Sequence, residues 1–187
     1  MKKEVPVKRY ILTGTPGCGK TAIVRSLEVA GYVVVEEAAT DIIAMRQAER
    51  IGEPWTRANF IDDIATLQKR RQLRAAELSS EVQFYDRSPL CTYALSRWLG
   101  LPVSIVLANE MERISAEGIY QKKVFFIENL GFCAPTDARK ISFEESLAFE
   151  KVHEEIYSSF GYELIRVANQ ELSARVELVK SYVLGWT

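Results

Sequence analysis

The eight residues Gly14-Thr15-Pro16-Gly17-Cys18-Gly19-Lys20-Thr21 constrain what this chain can fold into more than any other feature. They meet the spacing G-x-x-x-x-G-K-[ST] in full. Glycines in such a loop let successive backbone N–H groups turn inward as an anion-binding nest, because no Cβ opposes a positive φ. The lysine then reaches the outer phosphates of a nucleotide, and the threonine offers its hydroxyl to Mg²⁺. This works where a buried strand enters the loop and a helix leaves it with its positive end aimed at the anion. Both flanks are legible here. Tyr10-Ile11-Leu12-Thr13 is a short apolar run ending at glycine. Lys20 to Ala30 puts Ile23, Val24 and Leu27 on one side, with Gly31 where a helix end is expected. The eight residues are therefore expected to bind ATP with Mg²⁺, with Cys18 a small filler of the loop.

Beyond the loop, strand-like and helix-like segments alternate. Tyr32-Val33-Val34-Val35, Val82-Gln83-Phe84-Tyr85, Val124-Phe125-Phe126-Ile127 and Leu164-Ile165-Arg166-Val167 read as four further strands. Helices are expected from about Ala38 to Ile51, Thr56 to Leu78, Pro89 to near Gly100, Pro102 to about Glu117, Ser142 to Gly161 and Gln170 to Val183. Ser88-Pro89 has the residues of a helix start, and Ser142 with Glu145 has capping-box spacing. Five short apolar strands separated by helices imply a three-layer α/β fold, a parallel sheet covered on both faces. The 187 residues are expected to form one domain. It would carry a helical acceptor region at about 38–80 and a lid-like loop at about 130–142.

Composition removes several alternatives. A net charge of −1 gives no overall attraction to nucleic acid or to anionic lipid. The three cysteines, Cys18, Cys91 and Cys133, are far apart, and the single histidine, His153, has no ligand-spaced partner. Neither a disulfide framework nor a zinc site is expected. No apolar run approaches the roughly 20 residues that span a bilayer. Met1-Lys2-Lys3-Glu4 leads into Pro6 without a signal-type apolar core, so a cytoplasmic location is expected.

In a parallel sheet, ligands sit beyond the carboxyl ends of the strands. Asp86 follows the third strand, where a carboxylate can share the magnesium shell with Thr21. Glu36-Glu37 follows the second, where one carboxylate can take the proton of an acceptor hydroxyl or hold Mg²⁺; strand alternation leaves open which one. Arginine forks stabilise the charge that builds up on a moving phosphoryl group. Arg87 beside Asp86 and Arg139 in the lid-like loop are placed for that. Arg46, Arg50 and Arg57, and the run Lys69, Arg70, Arg71, Arg74, read more simply as solvated helix faces. His153 reads as structural.

Taken in order, Gly14 to Thr21, Val35-Glu36-Glu37-Ala38-Ala39, Phe84-Tyr85-Asp86-Arg87-Ser88-Pro89 and Asp137-Ala138-Arg139 followed by Glu144-Glu145 resemble an AAA-like ATPase/kinase domain family. That family is related to the nicotinamide-riboside kinase domain of NadR and, more distantly, to deoxynucleoside and thymidylate kinases. The resemblance implies the P-loop NTPase fold with strand order 2-3-1-4-5. It favours Glu37 over Glu36, since small residues follow the family's glutamate as Ala38-Ala39 do here. It makes Arg139 the lid arginine over the phosphates and places Ala168-Asn169 near the base. Glu53-Pro54-Trp55 is similar to a deoxynucleoside-kinase signature but is displaced from the second strand, and is assigned no role.

The expected function is transfer of the ATP γ-phosphoryl group to a small nucleoside- or nucleotide-like acceptor, with Lys20, Glu37, Arg87 and Arg139 as candidate catalytic residues. The alternative is an ATP- or GTP-dependent switch that hydrolyses slowly and acts through a macromolecular partner. A Ras-type GTPase is disfavoured, because Asn109 and Asn129 both lack the lysine of a guanine-reading N-K-x-D motif.

Overall fold

The computed structural model describes residues 6–131 and 141–185. Five strands, β1 (Lys8–Thr13), β2 (Val33–Val35), β3 (Val82–Asp86), β4 (Lys123–Ile127) and β5 (Glu163–Val167), pair in parallel in the order 2-3-1-4-5. Between them run α1 (Lys20–Val29), α2 (Ala39–Ala48), α3 (Phe60–Ala76), α4 (Pro89–Trp98), α5 (Ile105–Ala116), α6 (Phe143–Ser159) and α7 (Leu172–Leu184).

Side chains of a strand alternate between its faces, so one apolar run supplies two cores. Tyr10, Leu12, Phe84 and Phe125 pack on one face against Ile23, Val24 and Leu27 of α1 and Val176, Val179 and Val183 of α7. Ile11, Tyr85 and Val124 pack on the other against α2 to α6, through Ile42, Ile64, Leu90, Leu107 and Tyr157. Every strand core residue in these two sets is at most 2% exposed. The sheet is thus the middle of three layers.

Register brings the chemistry together. Leu12 pairs with Asp86, Val35 with Tyr85, and Thr13 with Phe126. The carboxyl ends of β1, β2, β3 and β4 therefore form one rim, and the loops leaving them converge.

Some expected boundaries move, for local reasons. Pro54-Trp55-Thr56 forms a separate 3-10 turn, closed by Thr56 Oγ1 donating to the Glu53 carbonyl at 2.8 Å, and the helix expected from Thr56 starts at Phe60. α5 starts at Ile105 rather than at Pro102, because Ser104 is the N-cap and accepts from Leu107 N at 3.1 Å. The capping box of Ser142 and Glu145 forms as spaced. Ser88 precedes α4 as expected but makes no capping bond; its hydroxyl lies 2.8 Å from Tyr157 Oη instead.

Candidate functional site

The phosphate loop joins β1 to α1 with Gly14, Gly17 and Gly19 at φ 137°, 87° and 82°. Gly14 is fixed by contact as well as by φ, since a Cβ there would lie 2.3 Å from the Ile127 carbonyl oxygen. Lys20, 7% exposed, donates from Nζ to the carbonyls of Gly14 and Thr15, both at 3.3 Å. Cys18 is fully buried, as a filler would be. Thr15 is also buried, its hydroxyl directed to Glu150 at 3.5 Å. Glu150 is held above the ordinary carboxylate range by burial, against a hydrogen bond from Asn129.

A residue the sequence did not single out holds this loop from behind. Arg175 of α7, 4% exposed, donates from Nη2 to the Cys18 carbonyl at 2.7 Å. Its Nη1 lies 2.9 Å from where a Cβ on Gly19 would stand. Burial pulls its guanidinium below the usual range, opposed by Cys18. Its only sequence signal was a charge within the apolar side of the last helix.

Glu37 and Glu36 part company at the end of β2. Glu36 pairs with Arg25 at 2.5 Å, with half of its side chain exposed. Glu37 turns into the cleft, where its Oε1 accepts from Arg87 Nε at 2.6 Å and its Oε2 from Thr40 at 2.8 Å. Arg71 fixes this turn by donating to the carbonyls of Glu36 (3.1 Å) and Glu37 (2.5 Å) while pairing with Asp41. One member of the basic run in α3 is thus a brace rather than a solvated face. Burial pushes the Glu37 carboxyl up, but Arg87, then Lys20, then the Thr40 and Arg87 hydrogen bonds, outweigh it and leave it below the ordinary range.

Arg87 takes a left-handed φ of 72°, unusual for a side chain of its size, with its N–H donating to the Leu12 carbonyl at 3.0 Å. Burial works against its charge, yet Glu37, then Cys91 and Asp86, hold its guanidinium above the usual range. Asp86 is 7% exposed, and its Oδ1 is buried with no hydrogen-bond partner. Burial raises its carboxyl above the ordinary range; Lys20 opposes this and the Glu37 charge adds to it.

These residues share one cavity of about 550 Å³, which Lys20, Thr21, Glu37, Asp86 and Arg87 line together. Its far wall carries Trp55, Phe60, Gln68, Thr92, Trp98 and Phe149. Trp55 belongs to the segment that was assigned no role. Gln68 Oε1 accepts from Thr92 at 2.8 Å. Arg139, with most of the lid-like loop, lies outside the described residues; Ile141 beyond it lines the cavity. Arg46 is tied to Asp63 at 2.5 Å and to Glu49 at 3.0 Å, away from this cavity.

Among the described residues no group of three or more His, Cys, Asp or Glu could hold a metal ion alone. The orphaned Asp86 Oδ1 and the Thr21 hydroxyl on the same cavity are nevertheless hard oxygen donors suited to Mg²⁺. That ion is commonly held by one or two protein oxygens, with phosphate and water completing its shell.

A nucleotide-type phosphate loop entering a 2-3-1-4-5 parallel sheet, with a carboxylate-lined cleft at its rim, defines the P-loop NTPase fold. Within that class the chain belongs to a family described as an AAA domain, whose model matches residues 9–175. None of the curated proteins matches the sequence. Among solved structures, the fold is similar to deoxyadenosine kinase from M. mycoides with its products dCMP and a flexible dCDP. The TM-score is 0.62 at 14% identity, covering 95% of this chain and 99% of that one. It is also similar to NadR in complex with NAD and AMP-PNP, with a TM-score of 0.67 at 16% identity over 94% of this chain. A further NadR structure, with NR, gives a TM-score of 0.67 at 15% identity, again over 94% of this chain. The chain spans about half of each NadR chain, 49% and 50%. At these identities the likeness establishes the fold. No helix among the described residues is long and apolar enough to cross a membrane.

Proposed function

We propose that this chain is an ATP-dependent phosphotransferase that moves the γ-phosphoryl group of Mg·ATP to a hydroxyl of a nucleoside- or nucleotide-like small molecule. The observation that carries this reading is the continuity of one cavity from the phosphate loop to an aromatic-walled chamber, with Glu37 and Arg87 at the junction. The proteins of similar fold were solved with nucleotides or with NR, which agrees with an acceptor of that class.

In this scheme Lys20 exchanges its two 3.3 Å carbonyl contacts for the β- and γ-phosphates. Thr21 and Asp86 would hold Mg²⁺, which would offset charge on the phosphates. Glu37 is held ionised by Arg87 and Lys20, and each of its oxygens keeps a lone pair free beside the bond it already accepts. It takes the proton of the acceptor hydroxyl as that oxygen bonds to the γ-phosphorus and the bond to ADP breaks. Arg87 keeps Nε on Glu37, which leaves its terminal nitrogens as donors for the charge on the moving group. Arg139 is assigned the same task from the lid-like loop. Trp55, Phe60, Trp98 and Phe149 line the cavity with aromatic surface against which a planar base can pack, and the Gln68 amide can donate to its polar edge.

Glu37→Gln tests the junction. The affinity for Mg·ATP is expected to hold while transfer falls by about 10²- to 10⁴-fold, the usual worth of a positioned base. Unchanged transfer would remove Glu37 from that role.

A further inference from the structure

One polar rung crosses the otherwise apolar chamber beyond the junction. Phe60, Ile64 and Gln68 follow at four-residue intervals on α3 and line the cavity as one stripe. Thr92, Leu95 and Leu99 line it from α4 and its end, against which α3 packs. Among the described residues, the charged side chains on this cavity are Lys20, Glu37, Asp86 and Arg87, all at the phosphate loop or the junction. The chamber itself is therefore uncharged, and Gln68 with Thr92 is its polar feature.

Thr92, 3% exposed, donates from Oγ1 to Gln68 Oε1 at 2.8 Å. A glutamine amide carries an acceptor on one side and donors on the other, and turning it over exchanges them. The Thr92 bond selects one of these settings, drawing Oε1 toward α4 and leaving Nε2 for the cavity. Nε2 donates to no described residue and is not buried, so its hydrogens are open to the cavity that Gln68 lines. A ligand that covers this donor without supplying an acceptor leaves it unpaired in apolar surroundings, which is costly. An amine placed there sets donor against donor.

We propose that Thr92 is a positioning residue that sets the Gln68 amide as a fixed donor, so that the chamber selects acceptors whose base carries a ring carbonyl over those with an amine in its place. The inference rests on the reading of this cavity as a phosphoryl-acceptor site. Uridine and cytidine differ in this respect, as do inosine and adenosine. In each pair a carbonyl and its neighbouring ring N–H are exchanged for an amine and a bare ring nitrogen. The carbonyl accepts from Nε2, and the second lone pair of Oε1 remains for the ring N–H. The uncharged walls fit a neutral base of this kind.

The test titrates the full chain with these nucleosides by calorimetry, with and without Mg·AMP-PNP, and separately follows ADP release from Mg·ATP with the same set. Within a pair, the carbonyl form is expected to bind about tenfold more tightly than the amine form, or better. Thr92→Val keeps the shape but not the hydroxyl, so the amide is free to turn over and the ratio is expected to fall to within about threefold. Thr92→Ser restores the donor and, with it, the ratio. A thermal melt checks that both variants fold, and the wild-type ratio decides the matter even if Thr92→Val does not. Equal or tighter binding of the amine forms, an undiminished ratio in folded Thr92→Val, or no binding of any of these nucleosides overturns the proposal. The two readings fail separately. A binding preference without ADP release leaves this proposal standing and removes phosphoryl transfer, whereas ADP release without a preference does the reverse.

Discussion

Replacing Arg175 by methionine removes a buried guanidinium from the back of the phosphate loop while keeping most of its volume. Two opposed effects follow. The 2.7 Å bond to the Cys18 carbonyl is lost, and a bond from a charged donor of this kind contributes about 1.5–3 kcal/mol. Against that, the variant no longer buries a cation whose Nε has no partner and whose charge the site already disfavours. Global stability is therefore expected to change by only about 1 kcal/mol, in either direction. The loop itself loses its outer anchor, so the N–H groups that would face an anion are less well organised. If about 1–2 kcal/mol of the lost bond falls on the binding-competent loop, the affinity for Mg·ATP drops by about five- to thirtyfold. Equilibrium titration with Mg·AMP-PNP measures this, and calorimetric unfolding measures the stability term separately. An affinity within about twofold of wild type, with the variant folded, would refute the argument that Arg175 organises the loop.

Three further outcomes follow from the site. Gly14→Ala sets a Cβ 2.3 Å from a backbone oxygen at a φ of 137°, so a loss of about 2 kcal/mol or more is expected in denaturant unfolding; a loss below about 0.5 contradicts the geometry. Asp86→Asn relieves a buried carboxylate that burial holds above its ordinary range, and without nucleotide it is expected to stabilise the protein at pH 7 by on the order of 1 kcal/mol; a lower melting temperature counts against this. Glu37 has the opposite sign. Its folded pKa is depressed, so its stabilising contribution is complete above the ordinary carboxylate pKa and is lost as the pH falls from there through the folded value. Wild type minus Glu37→Gln stability, followed by melting from pH 7 down to pH 3, should shrink over that window; a constant difference refutes it.

The sheet was legible because its strands are apolar runs between glycines and helix starts, and the phosphate loop because its spacing is dictated by chemistry. The strand order followed from family resemblance rather than from pattern. Other features depend on contacts between distant residues. Nothing local separates Glu36 from Glu37, since both follow a strand of three valines; Arg25 draws one outward, while Arg71 and Arg87 hold the other in. Arg175 is 157 residues from the carbonyl it holds, and the Tyr157 hydroxyl 66 from Cys91. Trp55, in a segment assigned no role from the sequence, lines the cavity from the 3-10 turn that Pro54 opens.

The central claim, phosphoryl transfer to a small acceptor, is tested most directly by ADP release from Mg·ATP. It would be measured alone and against nucleosides, nucleoside monophosphates and pyridine ribosides, with Lys20→Ala as the blank. Stimulation of about tenfold or more by one acceptor class, absent in the blank, is expected. A slow and uniform rate across the panel, with Mg·ATP still tightly bound, would contradict the claim and favour a nucleotide-dependent switch.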